Sequence, residues 1–322
     1  MVLPTQTSVL GPAHISRRTP DPVRTVKGAA PIRVWVDGEL LHDASRAVSA
    51  FDRGLTLGDG VFETMRVLNG IVPMATAHLA RLALGAERLG LVMPVGLDAH
   101  VAEAAASAHR MNTLDAVLRV TLTRGDALPG MAGLSGGAPR SIVTLTPRIA
   151  VRDEVIDRGL TLITSQWRWS ARRPTAGIKS LDYTANVLAL REAHSQGVDD
   201  ALVLDTDDRI VSCTASNICW FSDATLFTPS AATGALPGTT LGLLRQLAAS
   251  VGLTVQETEA PVDALLHADA ACASSAIRGV VPITQLDGAM IGGHGRSPRF
   301  RALHDAWRGE MARLAGVDFV MD

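Results

Sequence analysis

The sequence predicts a two-domain protein in which a small α+β domain is followed by a larger α/β domain. The chain has 322 residues, more than one compact core usually contains. Hydrophobic residues make up 47% of it and charged residues 19%, which is typical of a globular protein with ample core material. Strand and helix patterns run to about residue 150 and then begin again. We therefore predict an N-terminal arm over 1–31, a small domain over 32–150 and a larger domain over 151–322, with a binding cleft between the two domains.

Composition excludes several kinds of protein. No segment reaches the roughly 18 apolar residues that a membrane-spanning helix needs, and the net charge of −2 offers no broad basic face for nucleic acid. Cys213, Cys219 and Cys272 show neither CxxC nor Cys/His ligand spacing, so we expect no metal site and reduced thiols in a cytoplasmic protein. Residues 1–31 contain prolines and scattered basic residues but no apolar core of a secretory signal, and we expect a mobile or loosely docked arm.

The small domain begins with two hairpin patterns. "IRVWVDGEL" alternates and then turns at Asp37-Gly38, and "GVFETMRVLNGIVPM" turns at Asn69-Gly70. "TAHLARLALGAERLGL" then predicts an amphipathic helix with Arg81 off its apolar face. That face carries Leu79, Leu82, Ala83, Ala86 and Leu89. A second helical segment, "AHVAEAAASAHRM", and the strand patterns "AVLRVTLTRG" and "SIVTLTP" complete an α+β unit.

The larger domain mixes strands and helices. Its strand patterns are "GLTLITS", "DALVLD", "RIVSCTASNICWF", "TLFTP" and "ACASSAIRGVVPI". One helix opens at "LPGTTLGLLRQLAASVG". The final helix is predicted over about Arg299 to Leu314, with one apolar side that carries Phe300, Leu303, Trp307 and Leu314.

The segment "GIKSLDYTANVLALREAHSQG" carries the strongest chemical signal. Lys179 stands just ahead of a helical run, and Tyr183, four residues later, is the only tyrosine of the chain. A lysine attacks carbonyls only as a neutral amine, so a Schiff-base lysine is usually desolvated and lies beside a group that handles protons. Taken alone, Lys179 could equally be a solvated charge, and Tyr183 a buried ring with a satisfied hydroxyl.

Six motifs together point to a family. They are "GDGVFETMRV", "HLARLALGAERLGL", "GIKSLDYTANVLALREA", "TASNICWF", "LFTP…LPGTT" and "SSAIRGVVPI". From about Val34 to Asp287 the chain resembles the class IV aminotransferases, the fold-type-IV enzymes that depend on pyridoxal 5'-phosphate (PLP). That family contains branched-chain and D-amino acid aminotransferases, R-selective amine transaminases and 4-amino-4-deoxychorismate lyases. Six motifs in order are more specific than any one of them.

The resemblance implies roles for named residues. Lys179 would form the Schiff base with PLP and shuttle the reaction's proton, and Tyr183 would hydrogen-bond the cofactor's phenolic oxygen or the Schiff base. The phosphate would be bound by Arg81, through its bidentate guanidinium fork, and by two short polar stretches. Those stretches are Gly238, Thr239 and Thr240, then Ser274 and Ser275. Without the resemblance, Arg81 reads as a surface arginine and the polar stretches read as an ordinary helix cap and a turn.

One position departs from the family. A glutamate five residues before the asparagine of the "SN" motif normally pairs with the pyridine nitrogen, and counting back from Asn217 gives Ser212. A serine can hydrogen-bond that nitrogen but supplies no carboxylate, so we expect a weaker electron sink. Asp207 and Asp208 stand in the preceding turn, where solvated carboxylates are the expectation.

The expected reaction is transfer of an amino group from an R-amine or D-amino acid to a keto acid. Arg66 and Arg278 are candidates for the substrate carboxylate, although each could be a structural ion pair. Two alternatives stay open: a 4-amino-4-deoxychorismate lyase, which "DRGLTLGDGVFETMRV" and "IRGVVPI" also resemble, and a non-catalytic PLP-binding protein. Since family enzymes complete their sites across an interface, we also expect a homodimer.

Overall fold

The computed structural model describes residues 33–42, 47–111, 113–128, 130, 137–149, 153–292 and 297–317. The N-terminal arm predicted over 1–31 lies outside these residues. Within the described part, no helix combines the length and the apolar character that crossing a membrane requires. Cys213, Cys219 and Cys272 are buried and form no disulfide.

The first half of the chain builds a five-stranded antiparallel sheet with helices packed on it. Its strands are β1 (Arg33–Val36), β2 (Glu39–Leu40), β3 (Gly60–Leu68), β4 (Asp115–Thr123) and β5 (Arg140–Pro147), and its helices are α1 (Arg53–Leu57), α2 (Ala75–Arg88) and α3 (Leu97–Ala106). The order across the sheet is β2-β1-β5-β4-β3. Both predicted turns are confirmed, with Asp37 and Asn69 at φ values of 50° and 49°. Asparagine and aspartate tolerate this left-handed backbone better than most residues.

Alternation along β3 separates two environments. Val61, Glu63 and Met65 face the core beneath α2, whereas Phe62 and Thr64 face the opposite side of the sheet. The apolar stripe of α2 buries Leu82 and Ala86 fully, as predicted, and leaves the other three members of the stripe partly buried. The helix thereby presents Arg81 at the edge of the sheet.

The second half builds a nine-stranded mixed sheet. Its strands are β6 (Leu160–Trp169), β7 (Asp200–Asp205), β8 (Ile210–Cys213), β9 (Asn217–Ser222), β10 (Thr225–Pro229), β11 (Thr254–Thr258), β12 (Ala270–Ser275), β13 (Gly279–Leu286) and β14 (Ala289–Met290). The order is β11-β10-β9-β12-β13-β6-β7-β8, and β14 pairs with β13. The helices are α4 (Asp153–Arg158), α5 (Thr184–Ser195), α6 (Thr239–Ala248), α7 (Asp263–Leu266) and α8 (Pro298–Ala315). Short 3-10 helices cover His109–Met111, Ala231–Thr233 and Ala249–Val251.

The last helix differs from its predicted face at one residue. Phe300, Leu303 and Trp307 are buried as expected, but Leu314 is only half-buried. Steps of four residues beyond Trp307 reach Met311 and Ala315, which are buried in its place.

A short backbone pairing joins the two halves. The N–H of Phe62 donates to the carbonyl of Lys179 at 2.9 Å, and the N–H of Leu181 donates to the carbonyl of Gly60 at 2.9 Å. A Cβ at Gly60 would lie 2.4 Å from the carbonyl oxygen of Leu122, so only glycine allows this close approach. The segment with Lys179 is therefore fixed against the edge of the small sheet.

Candidate active site

A cavity of about 500 Å³ lies where the two sheets meet. Residues from β3, α2, β4, the segment before α5, β8, the loop before α6 and the turn between β12 and β13 line it. Most of the residues selected from the sequence line this cavity: Arg81, Lys179, Tyr183, Ser212, Gly238, Thr239, Thr240, Ser274, Ser275 and Arg278. Arg66 is not among the lining residues.

Lys179 and Tyr183 are in contact. Lys179 Nζ lies 3.1 Å from Tyr183 Oη and 4.4 Å from the centre of the Phe62 ring. The rings of Phe62 and Tyr183 meet edge to face, with centroids 5.1 Å apart. Within the described chain, Lys179 forms no ion pair with a carboxylate. Its amine is thus held on an aromatic surface beside a phenol, where it can bond to a carbonyl carbon.

Arg81 is held by a buried carboxylate. Its Nε donates to Glu63 Oε1 at 2.7 Å, its Nη2 donates to Glu63 Oε2 at 2.8 Å, and its Nη1 donates to the carbonyl of Pro237 at 2.9 Å. Glu63 also binds His78, whose Nδ1 lies 2.7 Å from Oε2. Burial alone would raise the pKa of Glu63, but hydrogen bonds from His78 and Arg81 and the positive charge of Arg81 outweigh it and hold the pKa of this carboxyl below its ordinary value.

The start of α6 forms the adjoining wall. Gly238 precedes the helix, and no side chain caps its first N–H groups. A Cβ at Gly238 would lie 1.8 Å from Asn217 Oδ1, so glycine is required here for space. Asn217 in turn donates from Nδ2 to the carbonyl of Leu236 at 2.7 Å and fixes the loop before the helix. Uncapped N–H groups, together with the threonine hydroxyls of Thr239 and Thr240, are typical of a phosphate site.

Buried hydroxyls without partners also face this cavity. The Oγ atoms of Ser216 and Ser274 are buried and have no hydrogen-bond partner among the described residues, and both serines line the cavity. Ser275 is already engaged, because its Oγ accepts from the N–H of Arg278 at 3.2 Å. Orphaned donors need a polar ligand. The donors of this cavity therefore fit a phosphorylated heteroaromatic cofactor.

Ser212 lies in the cavity wall, and among the described residues the carboxylate that lines the same cavity is Asp182. Ser212 stands on β8 opposite Val203 of β7 and is buried. Asp207 and Asp208 are exposed turn residues, as predicted, with side chains 69% and 74% accessible. Two buried carboxylates stand on the neighbouring strand β7, and neither lines the cavity. Asp200 accepts from Thr214 Oγ1 at 2.5 Å and from Arg278 Nη1 at 2.8 Å, and Asp205 accepts from Arg209 Nε at 2.7 Å.

Arg66 is displaced from the cavity by its place along β3. Its side chain lies on the same face of β3 as those of Phe62 and Thr64. Two residues of a strand span about 7 Å, so Arg66 lies about that far beyond Thr64 along the strand. There it forms two hydrogen bonds of 2.9 Å with Asp115. Of the two arginines suggested for a substrate carboxylate, the structure thus brings only Arg278 to the cavity, where it is paired with Asp200.

Two other arginines line the cavity and were not selected from the sequence. Arg119, opposite Thr64 across the β3–β4 pair, stacks on Phe62 with its Cζ 3.8 Å from the ring centre. Arg173 lies over Trp169 at 4.9 Å. Burial lowers the pKa of both guanidinium groups, and neither forms an ion pair within the described chain. Such groups attract anionic substrates.

Glu63 and His78 were also missed, although the sequence holds a signal for them. His78 lies four residues before Leu82 on the apolar stripe of α2, and Glu63 lies between two inward-facing residues of β3. Polar residues on core faces are expected to be partnered. Both side chains are buried: His78 is 2% exposed and Glu63 is 0% exposed.

A lysine in the same cavity as donors suited to an anion fits enzymes that hold a phosphorylated carbonyl cofactor through a Schiff base. Comparison with known proteins gives the family. The family described as amino-transferase class IV matches residues 60–286, and the chain belongs to it. The resemblance drawn from the motifs is confirmed.

Individual relatives agree. A D-alanine aminotransferase of Listeria innocua serovar 6a is 30% identical over 298 residues, which cover 88% of this chain and 98% of the relative. The PLP-bound form of a hypothetical aminotransferase from Mycobacterium tuberculosis has a TM-score of 0.76 at 26% identity, covering 87% of this chain and 99% of that one. The 4-amino-4-deoxychorismate lyase of Pseudomonas aeruginosa has a TM-score of 0.75 at 28% identity, covering 85% and 98%. The protein is a fold-type-IV, PLP-dependent enzyme of the transaminase family.

Proposed function

We propose that the protein transfers an amino group from a D-amino acid or an R-amine to a keto acid, with Lys179 as the reacting residue. The observation that carries this is the contact of 3.1 Å between Lys179 Nζ and Tyr183 Oη inside a cavity that also contains Arg81. The D-alanine aminotransferase relative supports a D-amino acid as donor, because the similarity extends over nearly its full length. When bound, PLP supplies the carbonyl that takes up the amino group and an electron-withdrawing ring.

Lys179 acts first as a nucleophile and then as a proton carrier. Nζ would accept the proton that leaves the substrate's α-carbon and hold it for return, which is the proton transfer that transamination requires. Tyr183 Oη limits the positions open to Nζ and exchanges a hydrogen bond with it. Phe62 excludes water from one side of the amine.

The phosphate would be held at the wall formed by Arg81 and the start of α6. Arg81 is already fixed by Glu63, and Thr239 and Thr240 add hydroxyl and backbone donors. Ser274 contributes a buried hydroxyl that lacks a partner. Ser212 would face the pyridine nitrogen and donate or accept one hydrogen bond there.

Ser212 also supports a second candidate, 4-amino-4-deoxychorismate lyase activity. A hydroxyl in place of a carboxylate weakens the electron sink that transamination uses. The likeness to the Pseudomonas aeruginosa lyase, over 85% of this chain, agrees with this alternative. We further propose that the protein is a cytoplasmic homodimer.

A single-turnover spectrum tests the function. The PLP-loaded protein is mixed separately with D-alanine, L-alanine and each enantiomer of 1-phenylethylamine. Loss of the visible PLP band with growth of the pyridoxamine phosphate band for D-alanine or the R-amine is the expected result. Conversion of L-alanine alone would contradict the proposed stereochemistry. If no amine reacts while aminodeoxychorismate releases pyruvate, the lyase is the function.

A further inference from the structure

His78 connects the carboxylate of Glu63 to the hydroxyl of Thr239. Its Nδ1 lies 2.7 Å from Glu63 Oε2, and its Nε2 lies 3.3 Å from Thr239 Oγ1. All three residues are buried, and Thr239 lines the cavity at the start of α6. The direction of the hydrogen bonds along this row of three side chains depends on how many protons His78 carries.

The Glu63 carboxylate fixes the direction of the hydrogen bond at one end of this row of side chains. Glu63 is ionised, because hydrogen bonds from His78 and Arg81 and the positive charge of Arg81 lower its pKa in spite of burial. An ionised carboxylate only accepts, so His78 Nδ1 must carry a proton. A neutral His78 would then have a bare Nε2 that accepts the proton of the Thr239 hydroxyl. In that case Thr239 Oγ1 would turn lone pairs toward the cavity.

A phosphate in the cavity requires the opposite direction. Phosphate oxygens of a dianion only accept, so the Thr239 hydroxyl must donate to them. Oγ1 can then only accept from His78 Nε2, which must itself carry a proton. With protons on both nitrogens, His78 is an imidazolium.

The net charge of the cluster also favours an imidazolium at His78 when a phosphate is bound. With neutral His78, the cluster of Glu63, Arg81 and His78 carries no net charge, because the carboxylate balances the guanidinium. With imidazolium, the cluster carries one positive charge toward the phosphate. Of the described side chains, the charged groups that face His78 are Glu63 from β3 and Arg81 from α2, the latter through their shared carboxylate, while α6 contributes the uncharged Thr239.

We propose that His78 is a proton-coupled positioning residue, which becomes an imidazolium when a phosphate occupies the cavity, so that phosphorylated ligands bind with uptake of one proton. The proton comes from solvent and resides on Nε2. The proposal rests on the proposed placement of the PLP phosphate beside Thr239.

Pyridoxal, which has the aldehyde but no phosphate, is the matched probe. It forms the same Schiff base with Lys179 once the internal hemiacetal between its 5'-hydroxyl and its aldehyde has opened. The open fraction is measured for free pyridoxal at each pH, so the ratio of the two affinities, corrected for it, cancels the chemistry of the lysine. Between about pH 7 and about pH 9 a phosphate monoester remains a dianion, since its second ionisation lies near pH 6. We expect the affinity for PLP relative to pyridoxal to fall as pH rises, with a slope that approaches tenfold per pH unit for one coupled proton. A ratio that does not change with pH would overturn the proposal.

His78→Gln supplies the second arm, because an amide cannot take up a proton. We expect this variant to bind PLP about tenfold more weakly near pH 7, to bind pyridoxal as before, and to show a flat affinity ratio. If the affinity ratio of this variant kept the wild-type dependence on pH, His78 would not be the group that takes up the proton. His267→Gln, at an exposed histidine that does not line the cavity, is the control and should retain the slope.

Nitrogen NMR of the full chain with 15N-labelled histidine needs no variant that might fail to fold. At about pH 9, the PLP-bound protein should show one more histidine with both ring nitrogens protonated than the pyridoxal-bound protein. Equal numbers would overturn the proposal. Failure of both ligands to form the visible lysine-bound band would instead contradict the proposed role of Lys179, which separates the two hypotheses.

Discussion

Arg81 and Glu63 form a two-pronged ion pair at the wall of the cavity, with both hydrogen bonds shorter than 3 Å. The pair joins α2 to β3, and a third bond from Arg81 Nη1 to the carbonyl of Pro237 joins both to the loop before α6. Three distant segments of the chain are thereby held in one geometry before any ligand arrives. Such preorganisation lowers the cost of fixing the guanidinium on binding.

Glu63→Gln should weaken both folding and PLP binding. The neutral amide leaves a buried guanidinium without its carboxylate, which typically costs about 3 kcal/mol of the free energy of unfolding. We also expect PLP affinity to fall about tenfold or more, since Arg81 loses its fixed orientation. Denaturant unfolding and PLP titration measure the two effects. Glu87→Gln, on the exposed face of α2, should change neither quantity.

Tyr183→Phe should leave PLP bound but alter the environment of Lys179. The ring and its packing on Phe62 are retained, whereas the hydroxyl 3.1 Å from Nζ is lost. We expect a shifted pH dependence of the visible band and an amine half-reaction slower by about tenfold. Stopped-flow spectra across pH measure both. If rate and pH profile match wild type, Tyr183 has only a packing role.

Ser212→Glu should accelerate the amine half-reaction. A carboxylate beside the pyridine nitrogen stabilises its protonated form and strengthens electron withdrawal. A gain of about tenfold corresponds to roughly 1.4 kcal/mol of barrier. Single-turnover rates measure it, with Ser222→Glu at the exposed end of β9 as the control. An unchanged rate would argue against Ser212 as the neighbour of that nitrogen.

Arg119→Gln should discriminate between substrates. Its guanidinium lies on the same Phe62 ring as Lys179 Nζ, and no carboxylate within the described chain pairs with it. We expect the kcat/KM for D-alanine to fall about tenfold or more, while the value for 1-phenylethylamine, which has no carboxylate, changes little. Arg172→Gln, at an exposed position outside the cavity lining, is the control. Equal losses for both substrates would contradict a carboxylate-binding role.

Asp199 should contribute to acid stability. Burial opposes its charge, but hydrogen bonds from Arg158 and Thr161 lower its pKa to about 2. A carboxyl whose pKa is lowered on folding stabilises the protein above its ordinary value near 3.8, and this stabilisation is lost as pH falls from about 4 to about 2. Asp199→Asn should therefore lower the melting temperature at neutral pH, with a difference from wild type that shrinks in acid. A difference independent of pH would contradict this linkage.

Local patterns were enough to predict many elements. The turns at Asp37-Gly38 and Asn69-Gly70 are fixed by backbone preferences of the residues themselves. The inward alternation of Leu118, Val120 and Leu122 on β4 follows from strand geometry and is observed as full burial. The family was recognisable because six short motifs occur in order along the chain, and the resemblance then predicts Lys179 as the Schiff-base residue.

The position of a residue along a paired strand was not predictable in the same way. Arg66 and Arg119 both lie on the face of the sheet that carries the cavity, yet only Arg119 lines the cavity. The difference arises from the register of β3 and β4, segments about 50 residues apart in sequence. A register is set by the whole sheet and its turns, which no local pattern encodes.

The sequence by itself determined the two-domain fold class and the family, and it predicted Lys179 as the reacting residue and Ser212 in place of the usual glutamate, because these depend on residue identity and short-range periodicity. Only the tertiary structure decided that Glu63 binds both Arg81 and His78, that Arg66 pairs with Asp115, and that Arg119 and Lys179 both lie over the Phe62 ring. These relationships depend on distances between segments far apart in the chain. Burial makes these pairs important for stability, because a charge removed from water is costly unless a partner within the fold compensates it.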